Sequence, residues 1–200
     1  STRVRSSAAS DVYKRQKSGT PCFSSSSLRF STGIRAARDN PKFGAILGCD
    51  AYGPCSIEPH HPDLFWYGIH GVETLFTIMG PGCVSVTRVE TDTTEFVTGA
   101  WKDGRVGTFR GIRKGKADYG AMVFGSKSIG SSGGFSGYEP LAVEICQFFV
   151  SGKTPVTAEE TLEIYAFMEA ADESKRQGGK PVALKSVLSR AREKGSAKTR

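Results

Sequence analysis

The chain has 200 residues, is 38% hydrophobic, contains 24 glycines and carries a formal net charge of +7. That length supports one self-sufficient core, and the glycine content favours sheet and turn over a helical bundle. No apolar run approaches the roughly 20 residues of a membrane helix, and no export signal follows the N-terminus, so a cytoplasmic protein away from the membrane is expected. The charge invites a nucleic-acid reading, but it is confined to the ends. Residues 1–17 carry Arg3, Arg5, Lys14, Arg15 and Lys17 against Asp11, a net of +4, and residues 185–200 carry a net of +5. The body between them is slightly acidic, which argues against nucleic acid as a partner. Five cysteines, at 22, 49, 55, 83 and 146, form no CxxC pair. That is not a disulfide framework or a zinc site of familiar spacing.

In chain order, "STRVRSSAASDVYKRQ" has no periodicity and resembles translated sequencing-adapter sequence, so residues 1–16 are expected to be disordered and non-native. "GTPCFSSSSLRF" reads as a strand-like run ending in Arg29 and Phe30. A short helix follows through "TGIRAARDN", and "FGAILGCDAYG" is an apolar strand. From Pro62 to Met79, Leu64, Ile69, Val72, Leu75, Phe76 and Met79 recur at three- and four-residue spacing, which predicts an amphipathic helix of about four turns. Strands follow at "CVSVTRVE", "EFVTGAWKDG", "RVGTFRGIRKG" and "DYGAMVFGS". Asp103-Gly104 in "KDGR" predicts a hairpin with a primed turn.

"SIGSSGGFSG" reads as a flexible loop. A helix over "YEPLAVEICQFFVSG" places Leu141, Ile145, Phe148 and Phe149 along one face. A second helix, "TAEETLEIYAFMEAADESKRQGG", opens with Thr157 and Glu160 in capping-box spacing and ends in basic residues before Gly178-Gly179. Residues 185–200 read as a basic tail. The order predicts an α+β fold, a mostly antiparallel open sheet with helices on one face.

All three histidines lie in one aromatic segment, "HHPDLFWYGIH". On a helix, Trp66, Ile69, His70 and Glu73 share one side. Imidazole titrates near neutral pH and suits proton transfer, and Glu73 is placed to orient the ring. The alternative is a packed histidine bonded to a backbone carbonyl. His60, His61 and His70 match no zinc-ligand pattern.

"GIHGVETLFTIMG" resembles the helix signature of the Gfo/Idh/MocA family, the glucose–fructose oxidoreductase and inositol dehydrogenase group. Gly68, His70, Glu73 and Gly80 stand in the family's register. "SSSSLRF", "YGP" at 52–54 and "YEPLAVEICQFFVSGKTPVTAEETLEIYAFMEAADESKRQGG" resemble that family too, and the likeness runs over about residues 18–184. It implies an oxidoreductase using NAD or NADP on a sugar or cyclitol hydroxyl. His70 would be catalytic. Trp66, Tyr67, Tyr52, His61, Asp63 and Glu73 would bind substrate, and Arg29 would lie on the cofactor side.

The resemblance further implies a remnant of the nucleotide-binding (Rossmann) domain at 17–40, a C-terminal catalytic and oligomerisation domain at 41–184, and a homo-oligomer formed through the sheet. Two departures stand out. Trp66 occupies the family's aspartate position, which hands that role to Asp63 or alters the chemistry. The GxGxxG turn and the family's lysine motif are missing, so the chain reads as the C-terminal part of such an enzyme. The contrasting expectation is a non-catalytic, sheet-based binding or oligomerisation module.

Overall fold

The computed structural model describes residues 18–197 together with Val12, so the expectation for residues 1–16 falls almost wholly outside the described residues. A short 3-10 helix, Ser27–Phe30, leads into α1 (Thr32–Asp39) and β1 (Ile46–Pro54). Then come α2 (Asp63–Trp66), α3 (Gly68–Met79), β2 (Cys83–Glu90), β3 (Thr94–Trp101), β4 (Val106–Ile112), β5 (Gly120–Gly125) and β6 (Ile129–Ser131). Two long helices, α4 (Glu139–Ser151) and α5 (Ala158–Arg176), precede β7 (Val182–Ala183) and α6 (Leu184–Ala197).

The seven strands form one sheet in the order β6-β5-β1-β4-β3-β2-β7. β1 and β4 run parallel, with Gly48 opposite Val106 and Pro54 opposite Ile112, and the other pairs are antiparallel. Alternation along the strands sorts the side chains by face. Cys49, Ala51, Val86, Val97, Trp101, Phe109, Ala121 and Val123 are buried beneath α3 and α5. Phe76 of α3 joins the layers, its ring 5.6 Å from Trp101 and 5.5 Å from Phe167 of α5. The opposite face carries Asp50, Thr108, Thr98 and Thr87 in one row across the sheet.

Gly71 sets how closely α3 lies on the sheet. A Cβ there would stand 2.1 Å from the Phe109 ring, so only glycine admits the approach. The cap of α5 is as the sequence predicts: the Thr157 side chain accepts from the Glu160 N–H.

Several elements differ from the sequence reading. Ser27–Phe30 is a 3-10 helix because the Ser26 hydroxyl accepts from the Leu28 N–H and starts a turn. The helix predicted from Pro62 to Met79 is two pieces, interrupted at Tyr67 with φ −117° and ψ −31°. The β3–β4 hairpin is not a primed turn. Gly104, at φ +87°, is its left-handed residue, and Gly104 N–H donates to the Trp101 carbonyl, which gives a three-residue loop. Ile129–Ser131, read as loop, pairs with β5 as an edge strand. Part of the basic tail is the helix α6, held by buried Leu184 and Val187. The expected apolar face of α4 is mostly uncovered: Phe149 is 79% exposed, and Glu144 is the buried residue of that helix.

Gly71→Ala should destabilise the fold by about 1–3 kcal/mol through overpacking against Phe109. Thr98→Ala, on the open face, should stay within about 0.5 kcal/mol. Urea unfolding of both variants checks the contrast.

Candidate functional site

His70 stands in the first turn of α3, and its Nδ1 lies 2.8 Å from the Ser26 hydroxyl. Ser26 caps the 3-10 helix from the preceding segment, so the contact ties two stretches distant in sequence. The Ser26 oxygen accepts from Leu28 N–H at 3.2 Å, which leaves its hydroxyl hydrogen to donate to Nδ1. A hydroxyl also accepts, so Ser26 supports either neutral tautomer. Burial lowers the pKa of His70, and the ring is neutral at physiological pH with Nε2 as its second polar atom.

Aromatic rings surround the imidazole. Tyr67 meets it edge-on at 5.8 Å, and Tyr119 meets it at 6.1 Å with planes at 87°. Burial raises the Tyr119 phenol pKa, and the nearby Tyr67 and Tyr138 phenols add to the effect. Two phenols, Tyr67 and Tyr119, therefore flank the imidazole. Tyr119 follows Asp118 just ahead of β5, and its ring packs over Gly53, where a Cβ would come within 2.9 Å. Its place depends on a pairing between strands remote in sequence, and the chain itself gives no local signal for it. Trp66 continues the aromatic row, 6.2 Å from Tyr67 and 4.6 Å from His61. Trp66 and Tyr67 remain 43% and 40% exposed, so this row forms an accessible wall. His61 is bound through Nδ1 to Glu58 at 2.7 Å.

Tyr52 does not join this group. It alternates with buried Ala51 and pairs with Gly120 and Arg110, on the open face of the sheet. The carboxylates are also engaged elsewhere. Glu73 does not orient the His70 ring. Its Oε2 accepts from Arg29 Nε at 2.8 Å in the interior, while Arg29 Nη1 pairs with Glu160 at 2.7 Å. Burial pushes the Glu73 carboxyl up despite the arginine beside it. Asp63 Oδ2 accepts from Arg88 Nη2 at 3.0 Å and Lys175 Nζ at 2.9 Å. Burial works against the Asp63 charge, but these two cations outweigh it and lower the pKa. Ser26 and Tyr119 therefore stand beside His70, and Glu73 and Tyr52, both expected as substrate-binding residues, do not.

Structural comparison places this arrangement on a known scaffold. The scyllo-inositol dehydrogenase of Lactobacillus casei, solved with NAD(H) and scyllo-inositol, is 14% identical, with a TM-score of 0.65 over 78% of this chain and 62% of its own. The myo-inositol 2-dehydrogenase of Lactobacillus plantarum is 16% identical, with a TM-score of 0.63 over 78% and 62%. The Lactobacillus casei myo-inositol dehydrogenase, in complex with NAD(H) and myo-inositol, gives 14%, 0.63, 78% and 60%. The fold is that of the inositol dehydrogenases. It agrees with the Gfo/Idh/MocA resemblance of "GIHGVETLFTIMG". The chain spans about three fifths of the length of these structures. No protein-family model matches it, and no curated protein matches it by sequence.

A dinucleotide's pyrophosphate is suited by backbone N–H groups at a helix N-terminus. Here a glycine-rich loop, 132–138, does join β6 to α4. However, Glu139 puts a carboxylate in the first turn of α4, and Pro140 removes an N–H from it. The loop serines are also occupied: Ser132 Oγ accepts from Ala121 N–H, and Ser136 Oγ accepts from Thr32 N–H. This loop does not fit a pyrophosphate. Among the described residues, no group of three or more His, Cys, Asp or Glu could hold a metal ion, and no helix is long and apolar enough to cross a membrane.

In an NMR titration, His70 should remain mostly neutral at pH 6.5, where an unperturbed imidazole is about half protonated. The sign for stability follows. The unfolded ring takes its proton first, so stability should fall as pH drops from about 6.5 through the depressed folded value. A His70→Asn variant should lack this part of the pH dependence.

Proposed function

We propose that this chain is the substrate-binding part of an NAD(P)-dependent oxidoreductase that acts on a hydroxyl of a sugar or cyclitol. The observation that carries the reading is the Ser26-held imidazole between the Tyr67 and Tyr119 rings, on a fold shared with the inositol dehydrogenases. In the complete enzyme the nicotinamide supplies the hydride chemistry. His70 Nε2 takes or returns the proton of the reacting hydroxyl, which a neutral ring can do near physiological pH. Ser26 holds the opposite nitrogen and fixes the ring plane. The Tyr67 and Tyr119 phenols offer hydrogen bonds to neighbouring hydroxyls, and the Trp66 face suits the apolar side of a sugar ring. Asp63 serves the fold instead of replacing the missing family aspartate, because its charge is already held by Arg88 and Lys175.

We assign residues 17–40 to the crossover from a nucleotide-binding domain and 41–184 to the catalytic and oligomerisation domain. Steady-state kinetics of the complete enzyme test the site. His70→Ala should lower kcat by roughly 10²–10⁴ with the circular dichroism spectrum retained. Trp66→Asp should raise turnover only while His70 is present. Equal turnover of Trp66→Asp with and without the imidazole would remove His70 from the chemistry.

A sheet-based assembly module is the second reading, and the open face favours it as an accompaniment. Val106 and Met122 are exposed there, and Val89 is 60% exposed. A sheet with one solvated face ordinarily keeps that face polar. Light scattering should report a dimer or higher oligomer, and Val89→Lys with Met122→Lys should shift it towards monomer.

A further inference from the structure

Away from His70, a pocket of about 140 Å³ opens between α1, α3 and α4. It is lined by Arg29, Phe30, Arg35, Arg38, Thr77, Glu144 and Pro155. Its size is below the roughly 300–1,000 Å³ that drug-sized ligands take, so its occupant is small. Three guanidinium groups face one carboxylate in this lining.

The state of each arginine identifies the chemistry. Arg29 is 94% buried by its 6% relative exposure, and two of its nitrogens are committed, Nε to Glu73 and Nη1 to Glu160. Its third, Nη2, is buried and has no acceptor among the described residues. An unpaired buried donor of a charged group is costly, and this one belongs to a residue that lines the pocket. Arg35 pairs with Glu144. Arg38 pairs with Asp39, but these side chains are 49% and 70% exposed, so that pair is weak and readily exchanged. Arg35 and Arg38 lie one helical turn apart on α1, on the same side as the pocket.

We propose that this pocket binds a phosphoryl group, free or at the end of a phosphomonoester, through Arg29, Arg35 and Arg38. Three guanidiniums from two elements call for an acceptor with at least three oxygens, and a carboxylate has two. Arginine forks match phosphate oxygens at short, charge-assisted distances. Glu73 and Glu160 fix the Arg29 plane and leave Nη2 as its unpaired donor. Glu144 is the opposing charge, which competes for Arg35 when no anion is bound. The site shares no lining residue with the His70 group and does not rest on the oxidoreductase reading.

Calorimetric titration of the full chain with inorganic phosphate, in low-salt buffer without other oxyanions, tests it. Glycerol phosphate is the second arm. Saturable binding is expected in the roughly millimolar range or tighter, with a matching phosphate-dependent rise in Tm. Arg38→Gln, at a half-exposed position that leaves the interior intact, should weaken binding roughly tenfold, the loss of one charge-assisted contact. Glu144→Gln should tighten it by removing the competing carboxylate. Lys114→Gln, on the β4–β5 connection, should leave it unchanged. Binding of phosphate alone identifies a free-ion site, and binding in both arms a phosphomonoester site; either supports the proposal. No saturable binding of either up to about 50 mM, far above the affinity expected of such contacts, would overturn it. So would Arg38→Gln and Glu144→Gln binding phosphate as the parent chain does.

Discussion

One guanidinium organises the side of the molecule that carries the candidate site. Arg88 sits on the buried face of β2 with no side-chain exposure, and its Nε and Nη2 donate to Glu95 of β3 at 3.0 and 2.8 Å. Its Nη1 donates to Asp172 of α5 at 2.6 Å, and its Nη2 also reaches Asp63 of α2. Arg113 and Lys175 extend the network to the rim. Removing one partner from such a buried set typically costs about 3–5 kcal/mol, because a charge is left without compensation. The network therefore fixes α2 relative to both the sheet and α5. Since α2 leads directly into Tyr67 and α3, it also sets where the aromatic wall and His70 begin.

The second constraint is steric. Gly71 lets α3 lie against Phe109, one residue beyond His70, and Tyr119 reaches the imidazole by crossing Gly53. Two missing Cβ atoms thus bring a helix, a strand and a loop close enough for their aromatic rings to meet. Ser26 completes the arrangement from a segment that belongs to neither the sheet nor the long helices. Charge, close packing and one hydroxyl each hold a different side of the same ring.

Much of this was legible in the sequence, for identifiable reasons. Alternation in "EFVTGAW" and "RVGTFRGI" marks half-buried strands, and the capping spacing from Thr157 to Glu160 marks the start of α5. The segment around His70 was marked by its crowd of aromatics. What escaped depended on long-range contacts. The 3-10 turn at Ser27–Phe30 arises from a serine cap that a strand-like composition conceals. Tyr119 enters the site only through the placement of β5 beside β1. Helix spacing points to Glu73 as a site carboxylate, and the family resemblance points to Asp63. Their engagement with Arg29 and Arg88 involves residues 44 and 25 positions away, respectively. The apolar residues of α4 had the right period for burial, yet periodicity does not supply a surface to be buried against.

The parallel pairing of β1 with β4 has a kinetic meaning. β2, β3 and β4 follow one another through short hairpins and close small loops, which is fast. β1 comes earlier in the chain than any of them, yet it lies between β4 and β5 and pairs with both. Its slot exists only after those strands are positioned, and filling it closes long loops at an entropic cost that slows folding. The segment bearing Ser26 and Arg29 precedes β1 and packs on α3. Assembly of the imidazole's surroundings is thus coupled to long-range pairings in the sheet, and the β2–β3–β4 hairpins can form before the segment around His70 is complete.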